Sequence, residues 1–157
     1  MSDMRPKPIV IKIGDKEYGL LLTLKAVEEI QSNLGIPISE VLTLLDDYKS
    51  FEIVLSALAD IGKIKIYPED IPMLKNKILF ALILGMPKRE EDEIPITKEP
   101  SKFPVARALY IGTTVLGFPE KEVWNMTLRK LLLLYTEHRK ETGTYKPPAT
   151  IDDVIPL

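Results

Sequence analysis

The sequence contains no cysteine and one histidine. The first absence excludes a thiolate metal site, a thiol nucleophile and a disulfide scaffold, and it suits a reducing compartment. The second excludes a multi-histidine metal centre, and His138 sits among Glu137, Arg139 and Lys140, the setting of a solvated surface residue. The eight glycines fall singly at turns and helix ends. No glycine-rich loop leads into Lys and Ser or Thr, so the phosphate-binding motifs are missing. No apolar run approaches the ~18 uninterrupted residues of a membrane span, and MSDMRPKPIVIKIG has neither the apolar stretch nor the small-residue cleavage site of a signal peptide. The expectation is a soluble, cytoplasmic protein.

A large excess of either charge is also lacking, with 21 basic and 23 acidic residues. A net charge of −2, spread over the chain, offers no broad attraction for nucleic acid. Without a histidine in a site-like context, Ser and Thr lack an activating base, and the neighbouring Asp46 and Asp47 would point apart on a helix. The run Glu90, Glu91, Asp92, Glu93 lacks the spacing and glycine of a calcium loop. The chain reads as a non-enzyme with no cofactor and no small-molecule substrate.

What the sequence does contain is helical periodicity in 157 residues, the length of one domain or of a domain with an appendage. Residues 1–87 read as a β-hairpin followed by a helical domain. In the hairpin, Ile9, Ile11 and Ile13 share one face, Gly14 to Lys16 turn the chain, and Glu17 to Leu22 return. Thr23 is placed to cap a helix through Leu34 that stops at Gly35. Ser39 is placed to cap a second, with Val41, Leu42, Leu44, Leu45 and Tyr48 apolar, and Ser50 a third, ending at Gly62. Lys63 to Tyr67 is a brief strand or an extended connection. Met73 to Leu84 is apolar nearly all round, with Leu74, Ile78, Ala81 and Leu82 on one stripe. Such a helix demands burial on more than one side, at the centre of the N-terminal helical core.

Residues 88–102 read as a charged linker with two prolines, in preference to an acidic recognition strip. A C-terminal helical part follows over 103–143, and 144–157 is an irregular tail. Phe103 to Leu116 carries Val105, Ala108, Leu109 and Gly112 at helical spacing. Gly117 and Pro119 then separate it from the helices of LGFPEKEVWNMTLRKLLLLYTEHRK, the most informative stretch. There a short helix over Pro119 to Met126 holds the only tryptophan, Trp124, and has Glu120 and Glu122 near its positive end. Thr127 caps a long helix whose Leu128, Leu131, Leu132 and Tyr135 form one stripe and which stops near Gly143. These helices also invite comparison with a helix-turn-helix presenting Arg129 and Lys130 to DNA, but the leucine-rich second helix and acidic balance favour protein docking. The fold expected is mainly α, about six or seven helices, with a small N-terminal β-hairpin. Broad apolar helices in so small a chain also predict self-association into a homo-oligomer.

Three stretches together resemble the tail assembly chaperones of long-tailed bacteriophages: IKIGDKEYGLLLTLKAVEEIQSNLG, SFEIVLSALADIG and the C-terminal LGFPEKEVWNMTLRKLLLLYTEHRK. The resemblance implies a protein that binds the tape measure protein and keeps that long helical polypeptide soluble until tail tube subunits polymerise around it. It also implies absence from the finished particle and, in many members, a short form and a frameshifted longer form. It carries over no catalytic residue, and Trp124, Met126 and Thr127 enter as motif positions. A helical client offers apolar area, so the candidate contact residues are Trp124, Met126, Leu128, Leu131 and Tyr135, with the leucines serving equally as internal core.

Overall fold

The computed structural model describes residues 7–86 and 102–143. The linker expected over 88–102, apart from Lys102, the acidic run within it and the tail expected after Gly143 lie outside the described residues. Two strands open the fold, β1 (Ile9–Ile13) and β2 (Lys16–Leu20), paired antiparallel with Ile11 opposite Tyr18 and Ile9 opposite Leu20. One face buries Ile11, Ile13 and Leu20, as the period-2 alternation requires. A two-stranded sheet is marginal alone, and here helices cover it.

Six α-helices follow among the described residues: α1 (Leu24–Leu34), α2 (Tyr48–Ala59), α3 (Ile71–Gly85), α4 (Val105–Tyr110), α5 (Glu120–Trp124) and α6 (Leu128–Glu141). The expected mainly α fold with an N-terminal hairpin is the fold observed. Thr23 caps α1 as anticipated, its hydroxyl accepting from the Ala26 amide at 3.1 Å, and Gly35 ends the helix in the left-handed conformation. Thr127 caps α6 in the same way, accepting from the Lys130 amide at 3.2 Å.

The middle of the N-terminal block departs from the reading of the sequence. Ser39 caps no α-helix; Ile38–Leu44 is a 3-10 helix preceded by Pro37. Its first amide, on Ile38, is bound at 3.1 Å by the buried side-chain oxygen of Gln31, so a residue of α1 does what Ser39 was expected to do. The α2 helix begins before Ser50, because the Asp47 carboxylate reaches the Ser50 amide at 3.0 Å and its hydroxyl at 2.9 Å. Two changes occur at its other end. The helix stops at Asp60 rather than Gly62, with Asp60 left-handed at φ 54°. The Asp60 amide donates to the Ala57 carbonyl and the Ile61 amide to that of Ser56, the paired bonds of a Schellman end. Aspartate tolerates this conformation better than most residues, and the Asp60 carboxylate is held by the Lys25 ammonium at 2.8 Å. Of the two options for Lys63 to Tyr67, the extended connection is the one observed, since no strand forms there.

Helix α3 buries the stripe anticipated, Leu74, Ile78, Ala81 and Leu82, against β1, β2, α2 and α6. It is not buried on a second side. Phe80 is 54% exposed, Ile83 58% and Leu84 47%, because its opposite face meets no other described element.

Residues on both sides of 87–101 contribute to one core: Leu24 and Ile30 of α1 and Leu55 of α2 join Ala108 of α4 and Leu128 and Leu131 of α6 in a single cluster. Two polar features tie the halves. Leu24 donates its amide to the Met126 carbonyl at 2.9 Å and Leu128 donates to the Leu22 carbonyl at 3.4 Å, an antiparallel bridge between Thr23 and Thr127. Gln31 makes the second tie. Its Oε1 also accepts from the Phe103 amide at 2.7 Å, and its Nε2 donates to the Phe103 carbonyl at 3.1 Å.

Candidate partner-docking surface

The C-terminal stretch is built as a corner. After α4 the chain widens into one π-helical turn, Ile111–Val115, whose closing bond runs from the Leu116 amide to the Ile111 carbonyl at 2.9 Å. The turn brings Gly112 against α5 so closely that a Cβ there would stand 2.6 Å from Val123 Cγ1. Gly117, left-handed at φ 80°, and Pro119 then separate this turn from the next helix, as the sequence indicates, and α5 runs for five residues before Asn125 closes it through bonds to the Lys121 carbonyl. Pro119 supplies the fixed φ of the entry, and Glu120 and Glu122 stand in the first turn where the helix end is positive.

Of the five candidate contact residues, three are interior. Met126 is 5% exposed, Leu128 0% and Leu131 1%. In the folded chain these side chains pack in the core. Trp124 and Tyr135 lie at the edge of the core, partly exposed and packed against it. The Trp124 indole N–H donates to the Glu120 carboxylate one turn earlier at 3.1 Å, which fixes the ring along the outside of α5. The Arg139 guanidinium lies 5.7 Å from the centre of the Tyr135 ring, within the range of a cation–π contact. Next to Trp124 in sequence, Phe118, Lys121, Glu122, Asn125, Met126 and Lys130 line a shallow cleft of about 350 Å³. It carries charges of both signs and one apolar ring.

A second cleft, about 570 Å³, lies between α1 and α2 and is lined by Lys25, Glu29, Lys49, Glu52 and Asp60 among others. The bond to Asp60 raises the Lys25 pKa above its ordinary value. At the start of α2, hydrogen bonds from the Ser50 amide and hydroxyl lower the Asp47 pKa, and the Lys75 ammonium lowers that of Asp46. Asp46 and Asp47 thus serve different neighbours and do not converge. Among the described residues no three His, Asp or Glu side chains are grouped to hold a metal ion, and no helix is long and apolar enough to cross a membrane.

The apolar surface that reading the sequence missed is on α3. Phe80, Ile83 and Leu84 were legible as apolar, but their spacing of three and one beside the stripe Leu74, Ile78, Ala81 made them look like additional core. Leu133 of α6, 40% exposed, was likewise hidden within an unbroken run of leucines. Comparison of the chain with protein-family models, with curated proteins and with solved structures finds no match to any of them.

Proposed function

We propose that this chain is a tail assembly chaperone of a long-tailed phage or prophage. In this reading it binds the tape measure protein through apolar surface at the α5–α6 corner, keeps it soluble, helps recruit tail tube subunits, and is absent from the finished virion. The resemblance of the three sequence stretches brings the family into view. The observation that carries the reading is Trp124, a large ring fixed by Glu120 at the edge of the core rather than inside it. A partly exposed, preorganised tryptophan has the character of a binding hot spot: it offers apolar area to a helical client at little cost in lost rotamer freedom. The flanking Lys121, Glu122 and Lys130 supply a mixed polar rim.

The test is co-expression with a phage tape measure protein, measuring the soluble yield of that client. Wild type is expected to raise the yield and Trp124→Ala to lose most of the rescue, with a binding loss of about 2 kcal/mol and little salt dependence. The variant's own melting temperature should fall only slightly, since the indole is at the core edge. A client equally soluble with and without wild-type protein overturns the proposal.

A further inference from the structure

The exposed face of α3 runs the length of the helix through Pro72, Asn76, Phe80, Ile83 and Leu84, none of them ionisable. The charged residues of the helix are Lys75 and Lys77, both in its N-terminal half, and its last turn has no basic residue. This is the reverse of the distribution that complements a helix dipole, where cations belong at the carbonyl end. A second α3 laid antiparallel across the first corrects it. Centred between Phe80 and Ile83, such a pair sets Phe80 of each copy against Ile83 of the other. Each Lys77 then comes beside the carbonyl end of the opposing helix, at Met86, and among the described residues of the two helices no like charges face one another. We infer that the Phe80–Ile83–Leu84 face of α3 is where a second copy of this chain docks, antiparallel across a two-fold axis.

The area sets the strength. Half-exposed side chains of this size present on the order of 100 Å² each, so the three supply roughly 300 Å² per copy, short of the ~800 Å² per partner of a standard stable interface. The dimer is therefore weak and concentration-dependent. Two-fold symmetry makes it sensitive to single substitutions, because each change is felt twice.

The experiment is sedimentation velocity on the full chain across a concentration series from low to high micromolar. Wild type should pass from monomer to dimer. Ile83→Glu should raise the dissociation constant at least tenfold while helical content and melting temperature stay at the wild-type level, since the position faces solvent in the monomer. Lys77→Glu should weaken association roughly fivefold by placing an acid at the opposing carbonyl end. Leu42→Glu, an exposed apolar residue on the 3-10 helix, should leave association unchanged. A wild-type chain monomeric throughout, or a dimer indifferent to Ile83→Glu, overturns the inference. Lys77→Glu without effect overturns the antiparallel arrangement. A monomer in which Ile83→Glu abolishes rescue of the co-expressed client assigns the face to that client and also overturns it. Dimerisation and client rescue are read separately, so the failure of one leaves the other standing.

Discussion

Thr23 and Thr127 face one another across an antiparallel bridge, each at the same time capping the helix that follows it. The first amides of α1 and α6, on Leu24 and Leu128, have no partner inside their own helices. Each instead finds the carbonyl just before the other's cap. Two helix starts thus satisfy one another. Replacing Thr127 by Ala removes the side-chain acceptor for Lys130 but leaves the backbone bridge. The expected cost is ~1 kcal/mol, and Thr23→Ala should cost as much. Chemical denaturation of both single variants and the double variant checks this; a double variant no less stable than either single one contradicts it.

Gln31 should be far less replaceable. Truncation to Ala leaves the amides of Ile38 and Phe103 and the carbonyl of Phe103 without the partners they have now, in a site where Gln31 itself is 4% exposed. Unsatisfied buried groups cost about 1–3 kcal/mol each, so a loss of at least ~3 kcal/mol is expected. Amide exchange at Phe103 should accelerate more than exchange in α2. Uniform acceleration would show that Gln31 does not hold the start of the C-terminal half.

The acid side of the stability profile should contain Asp47. Its pKa is lowered in the folded chain, first by the backbone bond from Ser50. A carboxylate with a lowered folded pKa stabilises above its unfolded value of about 3.9 and loses that contribution as pH falls through the folded value. Asp47→Asn keeps a capping oxygen without the titration. Melting temperatures of wild type and Asp47→Asn should therefore converge as pH drops below about 4, and parallel curves would exclude the assignment.

Gly112→Ala probes the π-helical turn. The added methyl meets Val123, itself buried on α5, and overpacking of this kind costs about 1–3 kcal/mol. Val123→Ala in the same chain should recover part of the loss, measured by urea unfolding. An additive double variant would place the cost elsewhere.

The elements that were legible in the sequence are those whose signal is local. Thr23, Thr127 and Gly35 act on amides and carbonyls within a turn of themselves, and the stripes of α1, α3 and α6 follow from spacing alone. The start of α2 was misplaced because Asp47 and Ser50 are both competent caps, and only the fold shows which accepts from which. Gln31 is a lone polar residue on the buried face of α1, beside Val27 and Ile30, and its type alone gives no sign of what it binds. Phe103, its partner in two of three bonds, lies 72 residues away, and no periodicity records it. The candidate site was half visible: Trp124 stood out by its rarity. That Leu128 and Leu131 point inward while Phe80 and Ile83 point outward depends on which helix faces are covered.

The same long-range ties give the chain a period of exposure while it is being made. Residues 7–86 emerge from the ribosome before Phe103, Met126 and Leu128 exist to cover Leu22, Leu24 and Gln31. At the ~5–20 residues per second of synthesis, that uncovered interval lasts several seconds. During it the half-built core presents apolar surface and the unsatisfied amide of Gln31. Timely synthesis of the C-terminal half is thus part of how this chain avoids joining the wrong neighbour, and a stall in the stretch before Phe103 should appear as aggregation of the nascent protein rather than as a slower yield.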